Sequence, residues 1–485
     1  MSGIRIGLLI SLSERYVLAL VSLASSMIVA RLLTPEEIGI YSVSVAVIAV
    51  AQVLRDFGIG SFLVQVKDLS EAVVRTAFGL SLIVGSFLFV LVLGLAPLAA
   101  RFYDEPALIQ TLIISSLNFL ILPFCSISMS ILRREMQFKR IAMVNVSAAL
   151  AGAIAVVIAA LMGAGPNSMA ISSIVASLAT GIGTWIAREN HRFLMPALSE
   201  WKTLLKYSSQ ATTASAVTSL AVSSNDLVLG KVLGFGPVAI LSRAQGLMNL
   251  FHRDLMMAVR NVAFPAFARA HREGEALEPR YISSVAAISA VAWPFYGMLA
   301  LFPLEIIRLL FGDQWDASVP LVPVFAVAGA VSAAVNLAQP LITAAGRIDL
   351  ATKAELVVQP VRFALIAAAA LVFQTTMACA LAYLLITCMS LPVFYWFKGR
   401  AIQNDIPRLL SALARSGLVA TSTLAIPALI SILGGLGRTE PLSHLDIFLA
   451  GVAALIAWPL SLHLSSHPLS QDEAYLKLRN KVLHR

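Results

Sequence analysis

Acid–base neighbours recur inside long apolar runs of this chain: Glu14-Arg15, Arg55-Asp56 and Arg253-Asp254, with Arg362 in a fourth run. A charge at bilayer depth costs roughly 2.5–3.5 kcal/mol on insertion scales, so such groups face a protein interior or a wet cavity. Arginine in that setting has a definite chemistry. Its planar fork donates paired hydrogen bonds to carboxylate or phosphate oxygens. Arg15, Arg55, Arg253 and Arg362 therefore form a candidate anion-binding set. The competing reading is that Glu14, Asp56 and Asp254 neutralise them as structural ion pairs. Asp226 and Arg243 lie toward the opposite side of the membrane and form a candidate gate that breaks and re-forms, or a static pair. Glu14, Asp56 and Asp226 are candidates for coupling to a proton or sodium ion, because a desolvated carboxylate binds protons more readily. Asn118, Asn145, Gln245, Asn249 and Asn336 either line a cavity or bridge helices.

The elements that must hold these residues are membrane helices. Of 485 residues 59% are hydrophobic and 13% charged, with a mean hydropathy of +0.85. Soluble domains run near 25% charged, so this is an all-α polytopic membrane protein. Apolar runs near 20 residues place about fourteen (12–14) spans: 8–32, 38–64, 75–99, 108–131, 141–163, 168–187, 204–224, 236–258, 281–303, 318–344, 356–373, 377–396, 411–433 and 446–464. Lys and Arg test that assignment. With the N-terminus inside, the basic residues crowd into alternate loops, among them Arg133, Arg134, Arg260, Arg269, Lys398 and Arg400. The loops of opposite side hold Arg31, Arg101, Lys231, Arg308 and Arg438. The positive-inside rule then puts both termini in the cytoplasm.

The net charge of +9 follows that loop pattern rather than a nucleic-acid surface. No G-x-x-x-x-G-K-[ST] run is present, and the three cysteines, Cys125, Cys379 and Cys388, lack metal spacing. The expected organisation is an N-terminal lobe over 1–190, an amphipathic cytoplasmic linker over 191–206, a second lobe over 207–400, and two further helices with a tail over 401–485. An echo with a period near 200 supports two parallel repeats. Ala30-Arg31-Leu32-Leu33 before Ile38-Gly39-Ile40-Tyr41-Ser42 parallels Gly230-Lys231-Val232-Leu233 before Val238-Ala239-Ile240-Leu241-Ser242. Parallel repeats imply a site between lobes and access by rocking.

The stretches ARLLTPEEIGIYSVSVAVIAVAQVLRDFGIGSFLVQ (Ala30–Gln65), NDLVLGKVLGFGPVAILSRAQGL (Asn225–Leu247) and FPAFAR (Phe264–Arg269) are those of a known family. They resemble the Wzx-type polysaccharide flippases of the multidrug/oligosaccharidyl-lipid/polysaccharide exporter superfamily. Leu241 departs from the pattern, standing where an aromatic is expected. The resemblance implies a V-shaped two-lobed bundle in the bacterial inner membrane. It implies a non-enzymatic flippase moving undecaprenyl-diphosphate-linked oligosaccharides from the inner to the outer leaflet. No cofactor is expected, and an ion gradient (H+ or Na+) or the membrane potential would drive the cycle. Expected partners are the lipid-linked oligosaccharide, the bilayer, a polysaccharide polymerase and a chain-length regulator, with no nucleic acid. The four arginines would then meet the diphosphate. Alternatives are a flippase for the peptidoglycan precursor lipid II, a drug exporter of the related branch, and a polytopic glycan polymerase or ligase. The short outer loops weigh against the last.

Overall fold

A computed structural model describes residues 2–55, 59–66, 68–188, 195–202, 204, 225–435, 438 and 440–471. Regular structure among them is helical throughout. Eleven helical stretches among the described residues, two of them made of consecutive shorter helices, are long and apolar enough to cross a membrane. Three expected spans fall outside that set. The stretch 38–64 contains two helices, 204–224 lies almost wholly outside the described residues, and 236–258 is interrupted by a π-turn. The chain divides into two compact units, 1–239 and 240–485.

Unit 1 holds α1 (Ser2–Leu32), α2 (Pro35–Arg55), α3 (Ile59–Gln65), α4 (Glu71–Tyr103), α5 (Ala107–Ser116), α6 (Asn118–Arg134), α7 (Phe138–Leu161) and α8 (Asn167–Ala187). The start of α2 is written in its sequence. Thr34 and Glu37 form a capping box, with the Glu37 N–H donating to Thr34 Oγ1 at 3.3 Å and Glu37 Oε2 accepting from the Thr34 N–H at 2.8 Å. Pro35 takes the first helical position, where no N–H is needed. A core of Ile40, Val43, Leu88, Leu108, Leu112 and Phe119 joins α2, α4, α5 and α6. Phe235, from a later segment, enters that core. Gly39 makes this approach possible, since a Cβ there would stand 1.9 Å from the Phe235 carbonyl oxygen. The Gly236 N–H also donates to Glu36 Oε2 at 2.8 Å.

The asparagines of unit 1 bridge helices. Asn118 donates to Ser173 Oγ at 2.9 Å and accepts from Ser177 at 2.6 Å, tying α6 to α8. Residues 195–198 of the linker are not helical; they lie along the start of α4. There the Ala197 N–H donates to the Arg75 carbonyl at 3.1 Å and Arg75 Nε donates to the Met195 carbonyl at 3.0 Å. Backbone groups used in this way are not available to a helix.

Unit 2 continues α9 (Phe235–Asn249), which crosses the boundary, into a π-turn (Leu250–Leu255) and α10 (Met256–Arg272). It then holds α11 (Leu277–Leu301), α12 (Pro303–Phe311), a 3₁₀ stretch (Asp313–Leu321), α13 (Val322–Ala333), α14 (Ala338–Ala344), α15 (Ile348–Phe373), α16 (Thr376–Ala401), α17 (Ile406–Leu433) and α18 (His444–Leu464). The interruption between α13 and α14 has a cause in the sequence. Pro340 has no N–H to give the Asn336 carbonyl four residues back, so the helix re-starts around it.

The last two helices are bolted to unit 2 by buried polar groups. Arg438 engages all three guanidinium nitrogens. Nε donates to Glu305 Oε1 at 2.7 Å, Nη1 to the Ser431 carbonyl at 3.1 Å and Nη2 to the Leu301 carbonyl at 3.4 Å. The fully buried Lys398 pairs with Glu278, donates to Asn404 Oδ1 at 2.7 Å and lies 4.6 Å from the Tyr281 ring centre. His467, also fully buried, meets Ser416 Oγ through Nε2 at 3.0 Å. Its Nδ1 accepts from the Leu469 N–H at 3.1 Å. The proton of the neutral ring therefore sits on Nε2.

Candidate functional site

Unit 2 gathers cations and amides where its helices are interrupted. The π-turn Leu250–Leu255 carries His252, and single π-turns widen a helix locally. Asn336 stands in the interruption between α13 and α14, and its Nδ2 lies 3.4 Å from His252 Nδ1. His252 is in the field of two arginines, Arg260 from α10 and Arg362 from α15. Both are half-buried, and Nε of each is buried with no hydrogen-bond partner among the described residues. An unmade hydrogen bond from a buried charged donor is unfavourable by about 1–3 kcal/mol or more. Two such donors in one field make this the candidate anion site.

The remaining contacts position these cations. Arg362 Nη1 donates to Gln359 Oε1 at 3.4 Å, and its guanidinium lies 5.5 Å from the Tyr383 ring centre on α16. Tyr383 packs on Phe325 of α13 at 5.4 Å. Tyr296 donates to the Met248 carbonyl at 3.3 Å and lies 5.6 Å from Phe251 of the π-turn. Gly329 makes room for it, since a Cβ would stand 2.3 Å from the Tyr296 ring. The result is a cationic patch beside an aromatic wall. Guanidinium nitrogens suit phosphate oxygens, and aromatic faces suit sugar rings.

The residues expected from sequence distribute as follows. Arg362 belongs to this site. It stands fifteen residues into α15, deeper than the span 356–373 implied, because the helix begins at Ile348. Arg253 and Asp254 lie in the π-turn and Arg55 ends α2, but their side chains lie outside the described residues, as does all of Asp56. Glu14 is in unit 1, where its Oε1 accepts from Asn145 Nδ2 at 2.6 Å and joins α1 to α7. Arg15 is half-buried beside it on α1. Asp226 is half-buried in the helical stretch 225–233 of unit 1. Arg243, in unit 2, lies over the rings of Phe311 and Trp315, 5.0 and 4.9 Å from their centres.

Sequence reasoning missed Arg260, Glu355 and Gln359. Arg260 fell two residues past the expected end of its span at 258. Glu355 fell one residue before the expected start at 356. The available signal was the spacing Glu355, Gln359, Arg362, which puts three polar groups on one face of an apolar helix.

Residues 28–320 match the sequence model of the family described as polysaccharide biosynthesis protein. The chain belongs to that family. Among its relatives, lipopolysaccharide biosynthesis protein WzxC of Escherichia coli (strain K12) is 26% identical over 333 residues, 67% of either chain. Teichuronic acid biosynthesis protein TuaB of Bacillus subtilis (strain 168) is 24% identical over 303 residues, 62% of this chain and 63% of TuaB. Succinoglycan biosynthesis transport protein ExoT of Rhizobium meliloti (strain 1021) is 24% identical over 302 residues, 62% of this chain and 61% of ExoT. The matched region thus spans about two thirds of the length of these relatives. Among solved structures, the lipid II flippase MurJ in an inward closed conformation superposes with a TM-score of 0.66 at 14% identity, over 94% of this chain and 99% of MurJ. An inward-facing multidrug MATE transporter reaches 0.63 at 15% identity, over 81% of this chain and 98% of that one. The fold is that of these transporters, and the protein is a multi-pass membrane protein. Family and relatives indicate a transporter rather than an enzyme.

Proposed function

We propose that the protein flips an undecaprenyl-diphosphate-linked oligosaccharide from the inner to the outer leaflet of the bacterial inner membrane, by alternating access, for lipopolysaccharide, exopolysaccharide or capsule synthesis. The observation that carries the reading is the pair of arginines, Arg260 and Arg362, each with a buried Nε left without a partner. A diphosphate supplies the acceptors they lack, and the half-buried Tyr383 offers a ring face to the sugars that follow. Membership of a polysaccharide biosynthesis family supports a glycan cargo. The names of WzxC, TuaB and ExoT point the same way.

Both termini are assigned to the cytoplasm on the distribution of Lys and Arg. An ion gradient or the membrane potential drives the cycle, with Glu14, Asp56 and Asp226 as the carboxylates to examine. A polysaccharide polymerase and a chain-length regulator act downstream. The test is a deletion strain complemented with wild type or Arg362→Ala. Loss of surface polysaccharide, with undecaprenyl-linked repeat units accumulating inside, is the expected result for the deletion and the variant. Loss of cell-wall synthesis in the deletion strain would instead assign the cargo to peptidoglycan precursor.

A further inference from the structure

The cationic patch contains its own anion. Glu355, Gln359 and Arg362 occupy positions i, i+4 and i+7 of α15, so they stand in line on one face. Gln359 uses both ends of its amide. Nε2 donates to Glu355 Oε2 at 2.8 Å, while Oε1 accepts from Arg362 Nη1 at 3.4 Å. The carboxylate and guanidinium are thereby held apart by one amide. Glu355 also acts on Arg260 of α10 through space, although no ion pair within 4.0 Å closes between them. Two guanidinium groups thus share one carboxylate that directly pairs with neither. A tight pair would have satisfied the arginines; here both Nε atoms stay unbonded.

That arrangement has a consequence for any anion that enters. A diphosphate carries at least two negative charges, and Glu355 adds a third beside it. Like charges held close together repel far more strongly inside a protein than in water. An empty site without Glu355 would instead leave two guanidinium charges unbalanced within the helices, which is unfavourable at membrane depth. We propose that Glu355 is the resident counter-ion of the Arg260–Arg362 pair, positioned by Gln359, and that it holds the site's grip on the phosphate head loose enough for release. This rests on the reading of the pair as a phosphate site. Transport needs binding strong enough to load and weak enough to unload, and Glu355 supplies the second condition.

The experiment uses the purified full chain in nanodiscs, with inorganic pyrophosphate as probe in titration calorimetry. Glu355→Gln keeps an acceptor for Gln359 and removes only the charge. It is expected to bind pyrophosphate about tenfold more tightly than wild type. Glu355→Asp should bind like wild type, and Glu355→Ala gives a second charge-free variant if Glu355→Gln folds poorly. Polysaccharide export should fall in Glu355→Gln despite the tighter binding, an inverse relation that simple loss of structure does not produce. Equal or weaker pyrophosphate binding in both charge-free variants, with Arg362→Ala still abolishing binding, overturns the counter-ion role and leaves the phosphate site standing. Binding that survives Arg362→Ala and Arg260→Ala unchanged overturns the phosphate site itself.

Discussion

Unit 2 treats its arginines in two ways. Arg438, where the last two helices meet α11 and α12, spends every guanidinium nitrogen on a carboxylate or a carbonyl, and its partner Glu305 is 3% exposed. Arg260 and Arg362 are half-buried, lack a partner at Nε and act together on His252, and among the described residues Arg362 donates only to the Gln359 amide. Guanidinium groups of the same kind therefore serve opposite ends. A cation that holds helices together is saturated by its own chain. On the function proposed here, Arg260 and Arg362 are cations kept short of partners until a cargo arrives.

That contrast makes firm demands on mutants. The largest loss of stability is expected for Arg438→Ala, which strands the Glu305 carboxylate. Removing one partner of a buried pair costs on the order of 3–5 kcal/mol, to be read from the thermal unfolding of the protein in detergent. The same corner has a pH signature. Burial by itself would raise the Glu305 pKa, but hydrogen bonds from Arg438, its own backbone N–H and Leu442 outweigh it and hold the group below its ordinary value. Its contribution is thus complete above about pH 4.3, the unfolded value, and is lost as pH falls through the folded value. Arg438→Ala should remove that acid dependence.

Lys398→Met is the next test. It leaves Glu278 facing buried tyrosines and should cost roughly 2–4 kcal/mol, somewhat less because Glu278 keeps the Asp405 N–H at 3.1 Å. Arg260→Ala and Arg362→Ala should behave in the opposite sense. Their unfolding should shift by less than about 1 kcal/mol, since little bonding is removed, while export drops at least about tenfold. An Arg362→Ala protein that unfolds as readily as Arg438→Ala would erase the distinction.

The smallest effect concerns His467. Burial, and then the charge of Arg415, hold its pKa below the ordinary imidazole value. The neutral ring is the folded form, so its contribution is complete above about pH 6.5 and fades as pH falls below that. As pH falls from 7.5 to 5.5 the wild type should lose stability that His467→Gln does not lose. A parallel pH profile in the variant would place the titration elsewhere.

How much of this was legible beforehand can be followed residue by residue. Apolar runs revealed the helices, because a bilayer imposes length and composition directly on the chain. The capping box Thr34–Glu37 and the re-start around Pro340 were local and open to reading. Arg362 stood out because a charge in an apolar run violates that composition. Arg260 and Glu355 did not, because each lay within two residues of an expected span end and was indistinguishable from a loop charge. Lys398, two residues past the expected span end at 396, was read as a loop cation for the same reason, and Arg438 was read so because it falls between the spans ending at 433 and starting at 446. Their burial depends on Glu278 and Glu305, which are 120 and 133 residues away in the sequence.

The sequence by itself determined that this chain crosses a membrane many times, which loops carry the positive charge, and which family it resembles. Each of those follows from composition or from short contiguous motifs. Only the tertiary structure decided which charges are saturated and which are left waiting. The fate of a guanidinium depends on acceptors brought to it from other helices, and one-dimensional periodicity does not encode that pairing. The sequence places Glu355, Gln359 and Arg362 on one face of a helix. That Arg260 joins them, on a helix that runs on after the π-turn as far as Arg272, is a fact of the fold.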